Sequence, residues 1–196
     1  MKTNLLSDHL DCLQLAYVQQ HHRDLAQQAA REQWSHGDYL ARLVEGEVLE
    51  RGARAHQRRV KQARFPFVKT LEQYQWSWPK KLNQMAVRQL FKLEFLKDHA
   101  NVVFMGPVGL GKTHLAVALG HAACQAGRRV LYAPAVKVIN DLTQAQALHR
   151  LKRELARYVD IDVLILDEVG YLPIDKAGRT CCFRCWRAGT SGARRS

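Results

Sequence analysis

Residues 106-GPVGLGKT-113 constrain the fold more than any other stretch of the chain. They match the pattern G-x-x-x-x-G-K-[ST], in which each fixed position has a task. Gly106, Gly109 and Gly111 let the backbone curl until its N–H groups face a phosphate. Lys112 is expected to reach the β- and γ-phosphates as a point charge, and Thr113 to offer its hydroxyl to Mg²⁺. A helix beginning at this point adds its positive N-terminal end. The predicted nucleotide-binding segment is therefore Gly106, Pro107, Val108, Gly109, Leu110, Gly111, Lys112, Thr113 and His114. The pattern carries this meaning only between a strand and a helix. Residues 102-VVFM-105 read as a short buried strand, and 114-HLAVALGHAAC-124 as an Ala-rich helix that Gly127 closes.

The rest of the second half keeps the same rhythm. Residues 129-RVLYA-133 read as a second strand, 135–158 as largely helical, and 163-VLIL-166 as a third strand. Alternating strands and helices with uninterrupted apolar strands predict an α/β fold, a parallel sheet covered on both faces. A parallel strand delivers its C-terminal end to the edge that carries the phosphate loop. Asp167 and Glu168 stand at that end. Asp167 is expected to hold Mg²⁺, through water, and Glu168 to polarise an attacking water. With Lys112, Glu168 is the predicted catalytic residue, and Thr113 and Asp167 are the predicted metal residues. Adjacent acids favour water as the acceptor and speak against a kinase on the same loop.

The first part of the chain is different. Residues 5 to about 63 read as helices, with no proline before Pro66. Tyr39, Leu40, Leu43, Val44 and Val48 keep a helical period, and Asp38 is placed to cap. Beyond Glu50 the stripe turns basic. Residues 51–69 hold seven Lys/Arg and no acid, within a chain whose net charge is +12. That excess suits a polyanion, and Arg51, Arg54, Arg58, Arg59, Lys61 and Arg64 are the candidate DNA contacts; a solvated helix face is the competing reading. Pro66 and Pro79 bracket an aromatic linker with Phe65, Phe67, Tyr74, Trp76 and Trp78, which is expected to pack on the following domain. A short helix over about 83–97 follows. The organisation expected is a helical region over 1–64, a linker over 65–82, a nucleotide-binding core over 83–178 and an anomalous tail over 179–196.

No apolar run approaches the roughly 20 residues that span a bilayer, and the N-terminus lacks the apolar core of a signal peptide. The expected location is cytoplasmic, with no membrane partner. Isolated Cys12 and Cys124 agree with a reducing compartment.

Residues 103-VFMGPVGLGKTHLAVALGHAACQAGRRV-130 and 163-VLILDEVGYLPID-175 resemble the IstB-like ATP-binding proteins. These are helper ATPases of insertion-sequence transposition, of the AAA+ class and related to the DnaC-type helicase loaders. The likeness spans roughly 5–175, including A-R-F-P at 63–66. It implies ATP with Mg²⁺ as ligand, oligomers assembled on double-stranded DNA without sequence preference, and a transposase of the same element as partner. It also implies a sheet of strand order 5-1-4-3-2. A helicase loader acting in replication, and a non-enzymatic DNA-binding remnant, are the alternative functions.

After Ile174-Asp175 the resemblance calls for a Leu/Phe-rich helix, a strand ending in Thr-Asn, and an arginine finger. The sequence instead gives Cys181, Cys182, Cys185, Trp186 and a basic run. Structural zinc wants four ligands, and no His follows His149. Back-translated and read one nucleotide upstream, the tail permits D-L-L-F-Q-V-L-A, an apolar helix. The expectation is a tail out of frame from about residue 179, and a truncated core with only three strands. In that core the phosphate-loop strand lacks both neighbours, and hydrolysis is impaired.

Overall fold

The computed structural model describes residues 3–77, 82–169 and 180–185, with 3–4 and 180–185 described by backbone alone. The expectations for Trp78, Pro79, residues 170–175 and the tail side chains lie outside this set. Contacts divide the chain into two compact units, Met1–Gln57 and Arg58–Ser196.

The first unit is helical, as its sequence predicts: α1 (Thr3–Cys12), α2 (Ala16–Glu32) and the larger part of α3 (His36–Ala63). Ser35 starts α3. Its hydroxyl accepts from Asp38 N at 3.1 Å, and its own N–H donates to Asp38 Oδ2 at 3.3 Å. Asp38 thus works as the returning half of a capping box whose cap is Ser35. α2 and α3 approach closely at Gly46, where a Cβ would overlap the Tyr17 ring. Next along α3, the buried Glu47 accepts from Tyr17 N at 2.8 Å and Val18 N at 3.4 Å. Those are N–H groups of the first turn of α2, which have no partner within their own helix. The predicted apolar stripe of α3 is split. Leu43 is buried, whereas Leu40, Val44 and Val48 form an exposed i, i+4 ridge.

The last turns of α3 belong to the second unit, where Ala63 is fully buried in the main core. Then come α4 (Gln84–Leu90), a 3₁₀ turn (Glu94–Leu96), β1 (Val102–Met105), α5 (Lys112–Gln125), β2 (Val130–Pro134), α6 (Ala135–Ala147), α7 (Leu151–Val159), β3 (Val163–Asp167) and β4 (Thr180–Cys185). Two predicted helices are shorter than expected. The helix over 83–97 is interrupted where Leu93 takes φ +59°, and the one over 135–158 where His149 takes φ +55°. At the second break, Arg150 N donates to Ala145 O at 2.8 Å and His149 N to Gln146 O at 3.1 Å, a helix-closing motif around a left-handed residue. Gly127, with φ +83°, closes α5 in the same way, as the sequence implied.

Strand parity decides what each face carries. Val102 and Phe104, Val130 and Tyr132, and Val163 and Ile165 alternate onto one face and pack with Ala116, Leu119, Ala123 and Cys124 of α5. Leu131, Leu164 and Leu166 point the other way, against Val138 and Leu142 of α6 and Tyr158 of α7. The sheet is therefore covered on both faces, and the architecture is α/β.

The sheet is not all parallel. Its order is β1-β4-β3-β2, with β2 and β3 parallel and β4 antiparallel to both β1 and β3. The three strands that the sequence predicts, β1, β2 and β3, all run the same way. Two expectations are corrected here: a core of only three strands, and a β1 with no neighbour. The backbone groups of β1 and β3 need partners when buried, and Thr180–Cys185 supplies them on both sides.

Candidate functional site

The phosphate-loop sequence folds where its glycines permit. Gly109 and Gly111 take φ +84° and +76°, values that side chains rarely adopt. Gly111 also lies against Tyr74, whose Cε2 would be 2.8 Å from an added Cβ. The loop delivers the chain into α5 at Lys112, so the N-terminal end of a 14-residue helix faces the loop. Lys112 Nζ donates to Pro107 O at 2.6 Å, folding back across the loop. Such a contact holds the ammonium over the curl where a phosphate would be received.

Thr113, in the first turn of α5, donates its hydroxyl to Asp167 Oδ2 at 2.8 Å. Asp167 ends β3 and is only 6% exposed. Its position follows from parity: Val163, Ile165 and Asp167 share the face on which α5 lies. The same oxygen accepts from Tyr132 Oη at 2.9 Å, and Oδ1 accepts from Glu168 N at 2.8 Å. One buried carboxylate thus takes three hydrogen bonds from three parts of the chain. Glu168 is exposed and has φ +58°, a strained value for a residue with a side chain. Such strain is held in place by surrounding structure and recurs at working sites. The distant sequence positions 113 and 167 therefore meet.

His114 turns away from the loop. Its Nε2 is 3.1 Å from Thr70 O, and its ring meets Tyr74 edge-on at 5.3 Å. Tyr74 is buried among Val87 and Leu115, and its hydroxyl donates to Leu110 O at 3.0 Å. Burial pushes the Tyr74 phenol up from its ordinary range. The linker aromatics thus pack on the core, as the sequence led one to expect, and they brace the phosphate loop. A cavity of about 270 Å³ opens beside Tyr74, Leu110 and His114.

The basic run divides by partner. Arg51 and Arg54 reach Glu47 Oε1 at 3.4 and 3.3 Å, and Arg59 Nε donates to Cys124 O at 2.8 Å. Among the described residues no side-chain hydrogen bond or ion pair engages Arg58, Lys61 or Arg64, all exposed. Cys124 is fully buried, and that burial raises its thiol to about 11. Tyr158 is raised to about 12, by burial first and then by its hydrogen bond to Asp141.

Among the described residues no group of three His, Cys, Asp or Glu could hold a metal by itself. No described helix is long and apolar enough to cross a membrane.

Sequence reasoning missed Tyr132 and the contact of Tyr74 with the phosphate loop. Parity and a parallel register could have found the first, since Tyr132 pairs with Ile165 and so stands one step from Asp167. No local signal marks the second.

A curled glycine loop feeding a buried helix, beside a strand that ends in Asp-Glu, defines a phosphate-loop nucleotide-binding protein. Comparison narrows the class: the family of IstB-like ATP binding proteins matches residues 8–188, and the chain belongs to it. It is 39% identical over 175 residues to the "Insertion sequence IS21 putative ATP-binding protein" of Pseudomonas aeruginosa, covering 89% of this chain and 66% of that one. A protein named alike for insertion sequence IS5376 of Geobacillus stearothermophilus is 33% identical, over 77% of this chain and 60% of its own length. One for IS232 of Bacillus thuringiensis is 31% identical, over 87% and 68%. The chain thus spans about two thirds of the length of these relatives.

Proposed function

We propose that this chain is an ATP-binding helper of insertion-sequence transposition, taking ATP with Mg²⁺ on the loop at 106–113. The observation that carries the reading is the 2.8 Å contact of Thr113 with Asp167. It joins the helix that would receive the phosphates to the carboxylate that would face their cation. Mg²⁺ is usually bound by one or two carboxylates together with substrate phosphates and water. One hydroxyl and one carboxylate fit that habit, with the cation arriving on the nucleotide. Its chemistry there is neutralisation of phosphate charge. Lys112 adds a second positive charge, and Glu168, exposed beside Asp167, is the residue to orient a water.

The AAA+ class and an oligomer on DNA belong to the same reading. Its DNA contacts are Arg58, Lys61 and Arg64, whose side chains carry charge that is not used internally, and its protein partner is the transposase of the same element. Slow hydrolysis is expected. The strand between β1 and β3 is antiparallel, so Thr180, opposite Met105, is the β4 residue at the phosphate-loop edge. The names of the relatives favour transposition over replication as the setting.

Nucleotide binding by titration calorimetry tests the reading. The wild-type chain should bind ATP in Mg²⁺, and Lys112→Ala should lose at least tenfold in affinity with its fold retained. Equal affinities for the two, or a fast wild-type turnover that Lys112→Ala abolishes, would count against binding by this loop or against slow hydrolysis, respectively.

A further inference from the structure

The Asp167 carboxylate has one donor that the phosphate-loop motif does not account for. Thr113 and the backbone of Glu168 belong to the two segments that define the site. Tyr132 comes from the middle of β2, outside both of those segments. Its phenol nevertheless reaches the same oxygen as Thr113, at 2.9 Å.

We propose that Tyr132 is a positioning residue for the metal-facing carboxylate, fixing the Asp167 plane so that Oδ2 stays beside the Thr113 hydroxyl. This rests on the reading of 106–113 and Asp167 as an ATP–Mg²⁺ site. The geometry gives the reason. A carboxylate at the end of a strand can rotate about its last torsion, and that torsion is broad. Glu168 N holds Oδ1 from one side at 2.8 Å. On Oδ2 the Thr113 hydroxyl is a poor clamp by itself, because a hydroxyl rotor turns to suit its best partner. Tyr132 is a better clamp. Its ring is partly buried and packs against the main core, which contains Val130 and Ile165. Its register partner on β3 is Ile165, two residues before Asp167 and on the same face. The phenol oxygen therefore has a fixed place relative to the strand that carries the carboxylate. Loss of a group that orients a metal ligand from outside the coordination shell typically costs about 10–100-fold in metal affinity or activity.

The test uses the full chain with two variants. Tyr132→Phe removes the hydroxyl and keeps the ring; Tyr132→Leu removes both. A fluorescent ATP analogue is titrated first in EDTA, then at fixed analogue with increasing Mg²⁺. Mn²⁺ binding to the nucleotide complex, followed by electron paramagnetic resonance, gives a second readout. Tyr132→Phe is expected to leave affinity in EDTA within twofold of wild type and to raise the Mg²⁺ midpoint roughly tenfold. Tyr132→Leu should lower the urea midpoint further while moving the Mg²⁺ midpoint no more than Tyr132→Phe does. A Mg²⁺ midpoint in Tyr132→Phe within twofold of wild type overturns the proposal and leaves the ATP–Mg²⁺ reading standing. So does an equal loss in EDTA, which would make Tyr132 merely structural. A wild-type chain that binds no nucleotide overturns both.

Discussion

Replacing Asp167 should separate stability from function, and the structure fixes the sign of each effect. Asp167→Ala removes an acceptor from three donors at once: Thr113 Oγ1, Tyr132 Oη and Glu168 N, at 2.8, 2.9 and 2.8 Å. A buried donor left without a partner costs about 1–3 kcal/mol. The two hydroxyls can rotate toward other acceptors, but the Glu168 amide cannot. The expected loss is therefore about 2–4 kcal/mol, nearer the cost of one or two orphaned groups than of three. Asp167→Asn is a different case. The amide oxygen still accepts from Glu168 N, and the NH₂ group donates to the lone pairs of Thr113 and Tyr132 once both hydroxyls turn round. It also removes a charge from a site that is 6% exposed, where desolvation opposes ionised groups. Its stability should stay within about 1 kcal/mol of wild type. Yet Asp167→Asn should lose the Mg²⁺-dependent part of ATP binding, because a neutral amide replaces the charge that faces the cation. Urea denaturation followed by circular dichroism measures the first effect, and calorimetry with and without Mg²⁺ the second. If Asp167→Asn is destabilised as much as Asp167→Ala, the three donors do not depend on Asp167 in this way. If Asp167→Asn keeps its Mg²⁺ response, Asp167 is not the metal-facing residue.

Gly120 lies where a Cβ would be 2.6 Å from Ile165 Cδ1 and 2.9 Å from Phe65 Cε1; Gly120→Ala gains about 1 kcal/mol of helix propensity against an overpacking cost of about 1–3 kcal/mol. Combined with Ile165→Val, which removes the nearest atom, it should cost less than the sum of the two single changes in urea denaturation, and strict additivity would refute the packing. For DNA, alanine at Arg58, Lys61 and Arg64 together should weaken binding and flatten the salt dependence, by about 0.9 in log–log slope for each phosphate no longer neutralised. Alanine at Arg51 and Arg54 should instead lower stability, since Glu47 stays buried without its cations. Raised thiol and phenol values at Cys124 and Tyr158 set the alkaline limit: the folded forms hold their protons to about 11 and about 12, so above about pH 9 the unfolded chain binds fewer protons. Stability should then fall with rising pH, by up to about 1.4 kcal/mol per unit for each group. A flat stability between pH 9 and 11 would contradict the burial of Cys124.

The site was legible in the sequence where its chemistry is local. The glycines, Lys112 and Thr113 stand out by what a phosphate loop would require, and Asp167 by its place at the end of an apolar parallel strand. Helix existence in the first 63 residues was equally plain, because no proline interrupts the period. Side-chain partners were not. Nothing near Arg51 or Arg54 reveals that Glu47 is buried and holds them, and nothing near His114 reveals that it turns to Thr70. Those facts depend on which helices and loops meet. The break at His149 escaped because the period continues through it. The strand at Thr180–Cys185 escaped for a further reason: with Arg184 among three cysteines it carries no plain apolar alternation, and it stands where the family resemblance calls for a helix.

The central claim is that residues 106–113 and Asp167 form one ATP–Mg²⁺ site. Calorimetric titration of ATP into the wild-type chain and into Lys112→Ala, each with Mg²⁺ and with EDTA, tests it most directly. Wild-type binding should strengthen with Mg²⁺, and Lys112→Ala should lose at least tenfold in affinity. Binding that ignores both the lysine and the metal would contradict the claim.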